Sequence, residues 1–227
     1  MPIVINTETK GYSFDGLNIR TFNTKKAIPW GRRLIGALKS IETKYILFAL
    51  EDFYLEDRVD SSALDKCIGY MEENPEVAVF SFYPTEDENN IPSNRYLGFE
   101  KRPQRGEYRL NCQIAVWNRE KLISFIRPHE SPWEWELYGS RRSARYKEEF
   151  YSIAHGEDLP FKYSRGAVIM RGRWWIEKVE PLNEKYALGI DYTARGSYED
   201  YIKSSAPRKR SLLRGIKNRI NIIRSLI

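Results

Sequence analysis

The sequence predicts an α/β domain built on a mixed sheet flanked by helices, and three observations predict it. Apolar runs of strand length alternate along the chain with segments whose apolar residues recur at helical spacing. One run, Tyr45-Ile46-Leu47-Phe48-Ala49-Leu50, is continuous, as in a strand covered on both faces within a parallel sheet. The 227 residues are 41% hydrophobic and carry 6 Trp, 15 Tyr and 10 Phe, enough to fill the core of one domain and to exclude wholesale disorder.

Taken in order, Ile3-Val4-Ile5 forms a short strand that the polar stretch 6–11 breaks, and residues 17–22 alternate as a second strand. Pro29 precedes a helix in which Leu34, Ala37, Leu38 and Ile41 recur at helical spacing, leading into the apolar run at 45–50. Ser61 is placed to cap a helix carrying Leu64, Ile68 and Met71, which Asn74-Pro75 ends. Residues 77–83 are a strand, 84–106 a long polar loop, 111–117 a strand, 120–125 a short helix and 168–175 a late strand.

The formal charge of +6 is unevenly distributed. Seven of the 37 basic residues (Arg208, Lys209, Arg210, Arg214, Lys217, Arg219, Arg224) lie in 206–227, which holds no acid; the remaining 30 face 31 acids in residues 1–205. The body is therefore near neutral, and a nucleic-acid partner is not expected of it. The chain divides into a domain at 1–205 and a basic tail at 206–227. Cys67 and Cys112 make neither a disulfide framework nor a zinc pattern, no run reaches the length of a membrane-spanning helix, and residues 1–10 show no secretory pattern, so a cytoplasmic setting is expected. His129 and His155 are too few for a histidine metal site, and no P-loop or G-x-S-x-G element occurs.

Two constellations carry chemistry. The run at 45–50 delivers Glu51 and Asp52 at its carboxyl end, where open α/β sheets bind ligands. Carboxylates there suit a divalent cation, Mn²⁺ or Mg²⁺, that also grips a diphosphate, or they form an acidic turn that caps a helix after it. Upstream, Trp30-Gly31-Arg32-Arg33 opens a helix with two guanidiniums suited either to phosphate or to a solvated face. The second constellation is Glu130-Ser131-Pro132-Trp133-Glu134-Trp135-Glu136. Pro132 and the acids fit the first turn of a helix. Trp133 and Trp135 beside carboxylates also suit a sugar acceptor, whose C–H faces pack on rings while its hydroxyls need acceptors. Arg141, Arg142 and Arg145 come after them on the same segment, either as a solvated basic face or as counter-charges to a diphosphate.

Residues 29–55, PWGRRLIGALKSIETKYILFALEDFYL, resemble the segment of GT-A glycosyltransferases in which an Arg-bearing helix leads into a strand and an acidic DxD motif. Residues 111–140, NCQIAVWNREKLISFIRPHESPWEWELYGS, are similar to the second half of that family, where a strand and short helix lead to an acidic motif opening another helix. The resemblance reaches most closely the bacterial polysaccharide and lipopolysaccharide glycosyltransferases and spans about residues 2–175. It implies a GT-A-like, Rossmann-like fold and a nucleotide-sugar donor whose diphosphate meets Arg32, Arg33, Glu51, Arg141 and Arg142. Asp52 and Glu51 would serve as metal ligands, and Glu134 first, Glu136 second, as the base that takes the acceptor's proton. Two departures stand out. The acids are adjacent, Glu51-Asp52-Phe53, where the family spaces them, and residues 2–6 correspond to the family's second strand, so the first is expected to be missing.

The tail reads as an amphipathic helix over 211–227, with Leu212, Ile216, Ile220, Ile223 and Ile227 as its apolar stripe. Basic helices of this type lie on anionic membrane surfaces or dock on a partner, and peripheral association with the inner membrane face is the expectation. The leading function is transfer of a sugar from a nucleotide donor to a glycan or lipid-linked glycan at the cell surface. A non-catalytic carbohydrate- or nucleotide-sugar-binding domain is the alternative.

Overall fold

The structure, a computed structural model, describes residues 2–163, 168–204 and 222–226. It is a mixed α/β fold. β1 (Ile3–Thr7) and β2 (Ile19–Asn23) pair in parallel as a two-stranded sheet of their own. α1 (Trp30–Lys39) packs against it, so closely that a Cβ on Gly36 would lie 2.7 Å from the Phe22 ring.

Next along the chain come β3 (Tyr45–Phe48), α2 (Ser61–Glu73), β4 (Val77–Ser81), β5 (Ile91–Pro92), β6 (Phe99–Lys101) and β7 (Ala115–Asn118). α3 (Arg119–Phe125), the single turn α4 (Pro132–Glu134), a π-helical turn at Trp135–Gly139, α5 (Ser140–Ser143) and β8 (Glu149–Ile153) complete the body. Six strands form one mixed sheet in the order β3-β7-β4-β8-β6-β5, in which only β4 and β8 run parallel.

Both faces of this sheet are covered. Leu34 and Leu38 of α1 and Leu122 and Phe125 of α3 pack on one face with Phe48, Val79, Trp117 and Phe150. Cys67 and Met71 of α2 pack on the other with Val77, Phe80, Val116 and Tyr151. The alternation of β3 divides between the two cores: Ile46 and Phe48 enter the first, Tyr45 and Leu47 the second. The apolar run at 45–50 is therefore two-sided as expected, but it is an edge strand antiparallel to β7 and not part of a parallel sheet. Helices on both faces supply the burial that its continuous apolar sequence requires.

Other boundaries differ for local reasons. Asp60, not Ser61, caps α2, because its carboxylate accepts from the backbone N–H and hydroxyl of Ser62 at 2.9 and 2.6 Å. Within the expected loop at 84–106, β5 and β6 form the far edge of the sheet, where the missing N–H of Pro92 is tolerated. The late strand at 168–175 is a hairpin of β9 (Ile169–Met170) and β10 (Arg173–Trp174). Arg171 and Gly172 at its tip take φ of 51° and 77°, the geometry of a two-residue hairpin turn. α6 (Ile176–Tyr186) packs Val179 and Leu182 on this hairpin and on Tyr54, and α7 (Tyr198–Ser204) follows it.

Residues 205–221, which hold most of the basic tail and its expected helix, lie outside the described residues. The helical turn at 222–226 is docked on the body. Ser225 is buried, its hydroxyl 3.0 Å from His129 Nε2, and its carbonyl accepts from the Arg142 guanidinium. Ile223, a member of the expected apolar stripe, is exposed.

Candidate functional site

The antiparallel pairing of β3 with β7 sets the carboxyl end of β3 beside the start of β7, with Phe48 opposite Ala115. Residues 50–52 therefore leave the sheet next to Cys112 and Gln113, and the carboxyl end of β4 reaches the same rim, since Ser81 also lies opposite Ala115. This is the sheet edge at which open α/β folds bind ligands. Asp52 is half-buried there. Its carbonyl accepts from Val168 N–H at 3.1 Å, and its Oδ1 is sealed from solvent with no hydrogen-bond partner among the described residues. Burial first, and the neighbouring charge of Glu51 second, push the Asp52 carboxyl above its ordinary range. Glu51 itself is exposed.

The acidic-aromatic stretch is built from its cap upward. Ser131 and Glu134 form a reciprocal capping box: the Ser131 hydroxyl accepts from Glu134 N–H at 3.3 Å, and Glu134 Oε2 accepts from Ser131 N–H at 2.8 Å. Pro132 occupies the first turn. The helix then widens into the π turn, a feature that re-aims side chains and often marks functional sites. Gly139 lets the turn pack closely on Leu110: a Cβ there would sit 2.9 Å from Leu110 Cδ1. Within this turn Glu136 is carried to the rim of the sheet, where its Oε1 accepts from the backbone N–H of Cys112 at 2.8 Å. Burial holds the Glu136 carboxyl above its ordinary range despite that bond. Burial first, and the charge of Glu136 second, push the Cys112 thiol well up. The acid at the end of β3 and the acid of the π turn thus lie on one rim of the sheet.

A cavity of about 580 Å³ opens beside Glu136, between the 105–108 loop and the segment 136–144. Arg105, Tyr108, Leu137, Ser140 and Arg141 line it with Glu136. The volume lies in the range of small-ligand sites. The walls are tied together: the Ser140 hydroxyl accepts from Leu110 N–H at 2.9 Å and donates to Leu110 C=O at 3.1 Å, and Gln104 Nε2 donates to the carbonyls of Ala144 and Tyr146.

The remaining expected residues separate into free and engaged. Arg32 is exposed, whereas Arg33 is largely covered and ion-paired with Glu8 at 2.6 Å. Arg141 is exposed on the cavity. Arg142 is buried in a bidentate pair with Glu130, at 2.8 and 3.1 Å, and also donates to Phe125 C=O at 2.8 Å. It serves the interior and is closed to a diphosphate. The tryptophans divide likewise. Trp133 is 77% exposed, while Trp135 is fully buried between Trp30 and Trp117 and has no open face for a sugar.

Gly31 of the Trp-Gly-Arg-Arg motif has a packing duty. Its N–H donates to Glu130 C=O at 2.9 Å, and a Cβ there would lie 2.2 Å from Arg127 C=O. Sequence reasoning misses Arg105 and Tyr108, and with them the parts that Glu130 and Cys112 play; only the Ser-x-x-Glu spacing of the capping box is legible as a signal for this region.

Among the described residues no group of three or more His, Cys, Asp or Glu side chains is arranged to hold a metal ion. The pair at the β3 end still fits a hard cation. Among the described residues the Asp52 Oδ1 is an oxygen donor without a partner, and an Mg²⁺-type ion takes one or two carboxylates, keeps waters and completes its shell with substrate phosphates. Comparison with protein-family models, with curated proteins and with solved structures yields no match in any of the three. What fold and site define is a mixed α/β protein with adjacent acids at the carboxyl end of β3 and an arginine- and tyrosine-lined cleft beside Glu136.

Proposed function

We propose that the protein is a nucleotide-sugar-dependent glycosyltransferase of GT-A-like type, acting on a glycan or lipid-linked glycan acceptor. The observation that supports it best is that two half-buried acids share one rim of the sheet: Asp52, with an oxygen unpartnered among the described residues, and Glu136, on a ligand-sized cleft and bonded to the Cys112 N–H. In this reading Asp52 and Glu51 would hold Mn²⁺ or Mg²⁺, which would neutralise charge on the leaving diphosphate. Arg32 is an exposed guanidinium on the helix that precedes β3. Glu136 is the base. It takes the proton of the acceptor hydroxyl as that oxygen bonds to the anomeric carbon, and the bond to the diphosphate breaks with its electron pair on the leaving oxygen. A carboxyl lifted by burial is a stronger base than a solvated one, which suits the task. Glu134 is better read as the cap that positions the π turn.

The seven cations of 206–227 support association with an anionic leaflet, each contributing about 1 kcal/mol near the surface. Among the described residues no helix is long and apolar enough to cross a membrane.

The test is thermal stabilisation of the full chain by nucleoside diphosphates with and without Mn²⁺. A rise in melting temperature with at least one nucleotide, larger with the metal, is expected; no rise with any nucleotide contradicts the reading. A second reading, binding of a carbohydrate or nucleotide sugar without transfer, draws on the engagement of Arg33, Arg142 and Glu134 with internal partners. It predicts stabilisation without nucleotide release.

A further inference from the structure

The cleft beside Glu136 has a chemistry of its own. Arg105 and Arg141 both line it and both are exposed, and neither forms an ion pair among the described residues. Two further guanidiniums, Arg102 and Arg109, are buried at the two ends of the loop that bears Arg105 and Tyr108. Arg102 donates to Arg109 C=O at 2.8 Å, closing the base of the loop, and Arg109 donates to Ser143 C=O at 2.6 Å and stacks 4.0 Å over the Phe150 ring. Neither is neutralised by an ion pair among the described residues. Two guanidiniums, Arg105 and Arg141, thus face a cleft whose own acids are Glu107 and Glu136, while Arg102 and Arg109 brace the loop from the interior.

Tyr108 is the second observation. It is half-exposed and holds φ at +50°, a left-handed conformation that is strained for a bulky aromatic residue. Asn111 Nδ2 donates to its carbonyl at 3.3 Å, and the Leu110–Ser140 hydrogen bonds pin the next residues. Asp87 Oδ2 accepts from Glu107 N–H at 3.0 Å on the other side. The surrounding bonds hold the ring out on the cleft wall against its backbone preference. An exposed ring beside guanidiniums and a carboxylate is the equipment for a saccharide ring carrying a negative group.

We propose that this cleft binds a saccharide bearing an anionic substituent, a phosphate or a carboxylate, with Arg105 and Arg141 on the anion, the sugar ring on Tyr108 and a hydroxyl directed at Glu136. That this saccharide is the acceptor rests on the transfer reading above; that the cleft takes an anionic sugar does not.

The experiment titrates the full chain with glucose 6-phosphate, glucuronate, glucose and inorganic phosphate. Glucose 6-phosphate or glucuronate should bind at least about tenfold more tightly than glucose. Arg105→Gln with Arg141→Gln should bring that affinity down to the level of glucose. Tyr108→Asn, which tolerates the left-handed backbone, should weaken glucose 6-phosphate and leave inorganic phosphate unchanged, with no loss of melting temperature. Saturating UDP or GDP should leave the sugar's affinity undiminished. Equal binding of glucose, an inert double variant, or displacement of the sugar by the nucleotide, which would give the arginines to the donor diphosphate, overturns the proposal. Any of these with nucleotide stabilisation intact refutes the cleft assignment alone. Anionic-sugar selectivity without any nucleotide binding supports the cleft assignment and refutes transfer.

Discussion

The backbone N–H of Cys112 donates to Glu136 Oε1 at 2.8 Å, joining the start of β7 to the π turn. That bond sets where the Glu136 carboxylate sits relative to the rim from which Asp52 projects. Glu134, two residues earlier, turns the other way and closes the capping box with Ser131. The two acids therefore have different duties, and substitution separates them. Glu136→Gln keeps an oxygen for Cys112 but cannot take a proton, so turnover should fall about 100-fold or more while the chain stays folded. Glu134→Gln weakens a cap, worth about 1 kcal/mol, and should leave turnover within a few-fold of the parent. Steady-state rates beside melting curves distinguish the two; the opposite pattern would return the base to Glu134.

The pH dependence has a fixed sign. Burial raises the carboxyls of Glu136 and Asp52 above their ordinary values of 4.5 and 3.8, so the folded state holds these protons more tightly than the unfolded chain. Their stabilising contribution is complete below the ordinary values and is lost as pH rises through the raised ones. Glu136→Gln and Asp52→Asn remove that loss. Both variants should melt at or above the parent at pH 7.5 and lose the advantage at pH 4, as thermal scans at the two pH values would show. The acid limb of the rate profile should likewise lie above the usual carboxylate range, because the base acts ionised.

The Glu130–Arg142 pair is buried on both sides, so removing one partner strands a charge. Glu130→Gln should cost about 3 to 5 kcal/mol, a fall in melting temperature of more than about 6 °C for a chain of this size. The double substitution Glu130→Met with Arg142→Met should recover much of it. Equal melting of Glu130→Gln and the parent would show the pair to be dispensable.

The end of the chain combines two effects that truncation resolves. Deleting residues 222–227 removes the buried Ser225, whose carbonyl accepts from Arg142, and should lower the melting temperature. It should not abolish sedimentation with anionic vesicles, because six of the seven tail cations remain. Deleting residues 206–227 should abolish it, and high salt should weaken it in the intact chain. A truncation at 222 that melts like the parent would contradict the docking.

Much of the fold is legible in the sequence because period and punctuation are strong. Leu34, Ala37, Leu38 and Ile41 mark α1, and the Asn74-Pro75 pair ends α2. β8 is not legible: the residues before it, 145–148, are mostly charged, and Tyr151 and Ser152 dilute a strand that tertiary pairing with β4 and β6 buries. The paired acids stand out from position alone, but their division of labour does not. The Ser-x-x-Glu spacing marks Glu134 as the cap partner, but Glu136 reaches the rim through a π turn and a hydrogen bond from Cys112, 24 positions away. Tyr108 and Arg105 are hidden for the same reason, since only the bonds from Ser140 and Gln104 bring their loop to the acids.

The most direct measurement of the central claim is nucleotide release by the full chain from a panel of UDP-, GDP- and CMP-linked sugars, in the presence of neutral and anionic saccharide acceptors. The parent should release nucleotide from at least one donor in an acceptor-dependent way. Asp52→Asn and Glu136→Gln should each lower that rate about 100-fold or more while melting no earlier than the parent. Release from no donor, or parent-level release from both variants, would contradict the assignment of transfer to Asp52 and Glu136.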